Sequence, residues 1–144
     1  MRHLIVAGLA DPRVTSDVQA AQGLLSVRAC CALAREYYLA GYDVAIDDIM
    51  SPGDWFDENW RKGLVDIDWR LVIVHPSLEE TLRRSKARAK RVPEHLTREH
   101  YGTMKAWPPQ HKIDTTGLNL TESLALVEAA VCLEPPGLQS DWEL

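Results

Sequence analysis

No stretch of this chain approaches the roughly 18 consecutive apolar residues that a membrane span requires, and its N-terminus lacks the layout of a signal peptide. No membrane partner is expected, and the chain reads as cytoplasmic. Cysteine is scarce: Cys30 and Cys31 are adjacent and Cys132 stands alone. With no CxxC pair and no Cys/His spacing suited to zinc, no metal site is expected. Three thiols within apolar helical patterns read as reduced and buried. There is no internal repeat and no basic excess. A net charge of −5 argues against a nucleic-acid polymer as partner and makes any anion site local.

What is present is enough for one soluble domain. At 144 residues, 46% of them hydrophobic and 26% charged, the chain is long and apolar enough to bury a core. Trp55, Trp60 and Trp69 cluster in one stretch, where packing is expected rather than ligand stacking.

One segment runs against the acidic balance. Leu82-Arg83-Arg84-Ser85-Lys86-Ala87-Arg88-Ala89-Lys90-Arg91-Val92-Pro93 holds six Lys and Arg and no acid. Continued as a helix, it places Arg84, Arg88 and Arg91 within about 60° of one face. The bland reading is a solvated surface. The functional one is a phosphate site, because the planar fork of Arg matches phosphate oxygens and neutralises them.

Along the chain, strands and helices alternate. His3-Leu4-Ile5-Val6-Ala7-Gly8 reads as a strand or the last turn of a helix. A helix is predicted from Ser16 or Asp17 to Ala40, with Val18, Ala21, Leu25, Ala29 and Ala32 recurring at helical spacing and Gly41 as its stop. Tyr42 to Asp48 reads as a buried strand ending in two carboxylates, and Asp54 to Lys62 as a short helix ended at Gly63. Trp69 to Val74 is apolar enough for a strand buried on both faces. His75-Pro76 ends it, and Ser77 with Glu80 forms a capping box for the next helix. A second helical piece spans Glu94 to Lys105, and Trp107-Pro108-Pro109 forces irregular chain. Lys112 to Thr115 is a short strand, and a last helix runs from Thr121 to Cys132.

This order predicts an α/β fold, a three-layer parallel sheet with helices on both faces. Ligands in open sheets bind beyond the carboxyl ends of the strands. Asp47, Asp48, His75 and Thr115 lie at such ends, although Asp there also suits a plain turn.

Four strings in order carry a resemblance. Ala40-Gly41-Tyr42-Asp43-Val44-Ala45-Ile46-Asp47-Asp48 is similar to the "AGxxVVIDD" strand of small P-loop kinases of the zeta-toxin, chloramphenicol phosphotransferase and gluconate kinase type. Leu71 to Val74, followed by Ser77 to Leu82, resembles their strand leading into the lid helix. Arg84, Arg88 and Arg91 match the R-x3-R-x2-R lid pattern, and Ile113-Asp114-Thr115-Thr116-Gly117-Leu118 resembles "IDTSGL". The resemblance covers residues from about 2 to 131 and implies ATP and Mg²⁺ as cofactors and a small-molecule or nucleotide-like hydroxyl as acceptor. It implies Arg84, Arg88 and Arg91 over the triphosphate, Thr115 near the base, and Asp48 facing the acceptor or the Mg²⁺ shell. Asp48 and Arg88 are thus the catalytic candidates. The implied domain spans residues 1–133, with a lid at about 83–107 and a flexible tail at 134–144.

One part of the family pattern is missing. The sequence contains no G-x4-G-K-S/T string, the loop whose backbone N–H groups and Lys hold ATP phosphates. His3 to Gly8 matches the stretch after the acceptor-activating Asp of these kinases, so the expectation is of an N-terminally truncated, P-loop kinase-like domain, inactive alone. Self-association or a complementing P-loop fragment is expected to cover its bare sheet edge. Two alternatives stand beside this: a nucleoside deoxyribosyltransferase-like enzyme, whose opening "iylAGP" resembles Leu4 to Pro12, and a non-catalytic nucleotide-binding remnant.

Overall fold

A serine starts the first helix. Ser16 sits in extended conformation and its Oγ accepts the Gln19 N–H at 3.2 Å, satisfying one orphan donor of α1, Asp17–Leu39. The helix ends as its sequence predicts. Gly41 takes a φ of 87°, its N–H donates to the Tyr38 carbonyl at 2.9 Å, and the Tyr42 N–H donates to the Tyr37 carbonyl at 3.0 Å. That paired closure is the Schellman arrangement, which needs a left-handed residue at the turn.

The computed structural model describes residues 9–10, 16–89 and 91–133. The chain divides into two units, Met1–Asp48 with Pro52–Trp69 and Ile49–Ser51 with Arg70–Leu144. The expected element at His3 to Gly8 and the expected tail at 134–144 lie outside the described residues.

In the first unit, α1 packs on a short helical piece. Here α2, Asp54–Phe56, runs on into a π-helical turn at Asp57–Arg61, and Phe56 and Trp60 are buried along it. The buried stripe of α1 is Val27, Cys31 and Ala34. The predicted stripe is corrected: Val18 and Leu25 are 58% and 62% exposed. The two stripes lie roughly 150° apart at 3.6 residues per turn. A helix apolar on both sides leaves the choice to its neighbour, and the neighbour here is small. A Cβ on Gly63 would stand 2.7 Å from the Cys31 Sγ, so the backbone approaches a small side chain closely. An Arg35–Asp66 ion pair closes the same contact. Trp69 meets the Phe56 ring edge-on at 6.2 Å, whereas Trp55 is exposed, against the expectation that it packs.

The predicted strand at Tyr42 to Asp48 is not formed; the segment has no regular structure. A strand exists only through a ladder, and no described segment pairs with this one.

The second unit holds a sheet of two strands, β1 (Ile73–Val74) and β2 (Lys112–Ile113), paired in parallel with Ile73 opposite Lys112 and Val74 opposite Ile113. The described residues are otherwise mostly helical, so the three-layer sheet is not seen among them. β1 is also not buried on both faces: Ile73 is buried, but Val74 is 48% exposed. Three helices complete the unit: α3 (Leu78–Ala87), α4 (Glu94–Lys105) and α5 (Leu120–Leu133). α3 and α4 pack together, with Ser85 and Thr97 hydroxyls 3.4 Å apart. The Trp107 indole N–H donates to the Met50 carbonyl at 2.7 Å, fixing the irregular chain before the Pro109–His111 turn.

Candidate functional site

Two parallel strands bring their following residues to one edge. The His75 N–H donates to the Ile113 carbonyl at 2.9 Å, extending the ladder, so His75 and Asp114 leave β1 and β2 side by side. The Asp114 Oδ1 accepts from the Thr116 N–H at 2.8 Å and from its hydroxyl at 2.5 Å. Those bonds, the hydroxyl's first, hold the Asp114 carboxyl below the usual carboxylate range, with His75 adding a smaller pull. The Thr116 Oγ1 accepts in turn from the Ser77 N–H at 2.7 Å. The loop after β2 is thereby tied to the start of α3. His75 stacks on Tyr101 of α4 at 4.4 Å, and its Nε2 is buried with no hydrogen-bond partner among the described residues.

α3 starts as predicted, with the Ser77 Oγ accepting the Glu80 N–H at 3.2 Å. The Glu80 side chain does not complete the box. It turns along the helix to the two residues that follow one turn later. Arg83 grips it as a fork, Nε to Oε2 and Nη2 to Oε1, both at 2.7 Å, and Arg84 Nε reaches Oε1 at 2.6 Å. Hydrogen bonds from Arg83, then from Arg84, hold the Glu80 carboxyl down at about 2.

Arg84 is committed further. Its Nη1 donates to the Thr115 Oγ1 at 3.1 Å, and its Nη2 donates to the carbonyls of Thr115 at 2.7 Å and Leu118 at 3.1 Å. Thr115 has no exposed surface. The structure therefore unites two of the predicted ligand-binding residues, Arg84 and Thr115, but as partners of each other.

The single arginine face is corrected. α3 stops at Ala87, and Arg88, its C-cap, takes extended backbone at φ −74° and ψ 144°. Arg88 and Arg91 therefore lie beyond the helix, off the row that carries Arg84. The alternative to helix here is repulsion relief: six cations without an interspersed acid disfavour another turn. Both residues are exposed, and neither joins an ion pair among the described residues. Lys86 is drawn aside to Glu94 at 3.7 Å. Asp48 belongs to the first unit, is exposed, and lies in the stretch without regular structure.

Beside this cluster is a cavity of about 550 Å³, lined by Val74, Arg83, Arg84, Leu118, Leu124 and Val127 among others. Its volume suits a small molecule, and its lining is mostly apolar with guanidinium groups on one side. The fit to a triphosphate and its metal is partial. Arg88 and Arg91 are committed to no described acid, whereas Arg84 commits four of its five N–H donors, and no group of three potential metal ligands occurs among the described residues.

Sequence reasoning missed Glu80 as more than a cap, although its i, i+3 and i, i+4 spacing to Arg83 and Arg84 was a readable signal. The Asp114–Thr116 turn, two residues apart, was a local signal left unread, whereas the His75–Tyr101 stack had none, because its partners lie on different elements.

Comparison with known proteins finds no match among curated sequences. The family model of chloramphenicol phosphotransferase-like proteins, a branch of the P-loop kinase superfamily with an α/β fold, matches residues 13–131.

Proposed function

Because the chain belongs to the chloramphenicol phosphotransferase-like family, we propose that it is a nucleotide-binding part of a phosphotransferase acting on a small-molecule or nucleotide-like hydroxyl. Arg88 and Arg91 are the groups assigned to the ATP phosphates, with Arg88 neutralising charge in transfer and Asp48 facing the acceptor. The observation that carries this reading is their availability. Arg83 and Arg84 share the Glu80 carboxylate, and Arg84 is tied to the Thr115 loop as well, while Arg88 and Arg91 stand exposed and unpaired with any described acid.

ATP with Mg²⁺ would supply the transferable phosphoryl group. This chain's residues neutralise and orient, but no G-x4-G-K-S/T loop is present in its sequence to place that group in line with an acceptor. Phosphoryl transfer is mostly placement and charge stabilisation. These 144 residues by themselves are therefore proposed to bind without turnover. A separate segment carrying that loop would complete the phosphate cradle.

Thermal shift and a product assay test this together. ATP is expected to raise the melting midpoint of the full chain, and Arg88→Ala to abolish the rise. Incubation with ATP, Mg²⁺ and a panel of hydroxyl acceptors should give no steady product. A midpoint indifferent to ATP would remove the nucleotide reading, and steady product would remove the inactivity. A rise with free nucleosides alone would favour the deoxyribosyltransferase alternative.

A further inference from the structure

Arg84 is tethered to four acceptors. It donates to Glu80, to the Thr115 hydroxyl, and to the carbonyls of Thr115 and Leu118. Those last acceptors bracket a tight turn. The Leu118 N–H donates to the Thr115 carbonyl at 3.2 Å, and Gly117 between them has a φ of 74°, the geometry of a type II turn. Thr115 O thus accepts twice, once from its own turn and once from α3. Glu80 Oε1 accepts from the Arg84 Nε, while Arg83 donates to both oxygens of the same carboxylate.

Leu118 at the end of that turn lines the cavity, as does Arg84 itself, and α5 begins just beyond at Leu120. The turn's position consequently sets one wall of the cavity and the entry of α5. A guanidinium can satisfy acceptors on several sides because its donors are fixed in a plane; an ammonium cannot span the same set.

We propose that Glu80 and Arg84 are positioning residues for the nucleotide site, with Arg84 fixing the Thr115–Leu118 turn and hence the wall against which the ligand rests, and leaving phosphate contact to Arg88 and Arg91. The proposal rests on the nucleotide reading above. It differs from a direct role for Arg84, because a positioning residue acts through the turn and a ligand contact does not.

The test uses the full chain and two readouts. Amide hydrogen exchange at Thr116 to Asn119 reports the turn with no ligand present, and the ATP dissociation constant reports the site. Arg84→Lys keeps the charge and loses the fork; Thr115→Val keeps the shape and loses the hydroxyl; Thr115→Ser restores the hydroxyl. Arg84→Lys and Thr115→Val are expected to speed exchange at the turn and to weaken ATP about tenfold, the scale of one lost hydrogen bond to a charged group. Thr115→Ser should resemble the parent in both. Should Arg84→Lys fail to fold, the two Thr115 variants carry the same comparison.

Unchanged exchange in Arg84→Lys and Thr115→Val overturns the clamp. Faster exchange with unchanged ATP affinity makes it structural only and overturns the positioning role. Weaker ATP with unchanged exchange marks Arg84 as a direct ligand and also overturns it. If the parent chain itself binds no ATP, the nucleotide reading fails and the positioning role falls with it, a result recognisable because it appears before any substitution.

Discussion

At the residue scale, Glu80 shows how one carboxylate gains a task from its neighbours. Its pKa lies at about 2 against an ordinary 4.5, with the Arg83 bond as the largest cause and the Arg84 bond next. A lowered folded pKa means that the unfolded chain binds the proton more readily, so this contribution is full above about pH 4.5 and is lost as pH falls toward 2. Urea midpoints measured across that window should decline, and Glu80→Gln should flatten part of the decline. Asp114 and Glu94, also lowered, account for a remaining slope. Gly63 makes a sharper case. Its absent Cβ would stand 2.7 Å from the Cys31 Sγ, on a helix core that cannot easily retreat. Gly63→Ala is expected to destabilise the fold by about 1–3 kcal/mol, read by chemical denaturation. Cys31 itself is buried, and burial first, then the adjacent Cys30, pushes its thiol up. Alkylation should therefore reach the exposed Cys132 well before Cys31. That exposure corrects the expectation that all three thiols are buried.

At the element scale, caps were legible and faces were not. Ser16, Gly41 and Ser77 act through bonds to residues a few positions away, so their roles could be read from sequence. Ser77→Ala should cost about 1 kcal/mol, measured as a shift in unfolding free energy. The last helix begins one residue before its predicted start, because Asn119 rather than Thr121 forms the box. The Asn119 Oδ1 accepts the Glu122 N–H at 3.0 Å, and the Glu122 Oε2 accepts the Asn119 N–H at 2.8 Å. The face of α1 could not be read in the same way, since apolar residues line both of its sides. With Val27, Cys31 and Ala34 inside, Leu25→Gln should change stability within about 0.5 kcal/mol. The arginine row failed for a related reason. Spacing places three residues on one face only while the helix continues, and α3 stops at Ala87.

At the scale of the whole molecule, the described residues leave much apolar surface exposed. Leu120 is 84% exposed, and Leu124, Leu126 and Val131 on α5 are exposed with it. Burying such a helix against a partner returns about 25 cal/mol for each Å² of apolar area. We propose self-association through it: light scattering should give a mass above the 16.2 kDa of one chain, and Leu126→Lys, at a residue outside the cavity lining, should lower it. A mass equal to one chain at all concentrations would remove the idea. The sequence by itself determined the caps at Ser16, Gly41 and Ser77 and the family, because capping, turn chemistry and motif order act over short distances along the chain. Only the tertiary structure decided which face of α1 is inside, that two short strands rather than a layered sheet pair among the described residues, and that Arg84 is held by the Thr115 turn while Arg88 and Arg91 are not. Those outcomes depend on what each group meets from a distant part of the chain, as the guanidinium of Arg84 meets two carbonyls some thirty residues on.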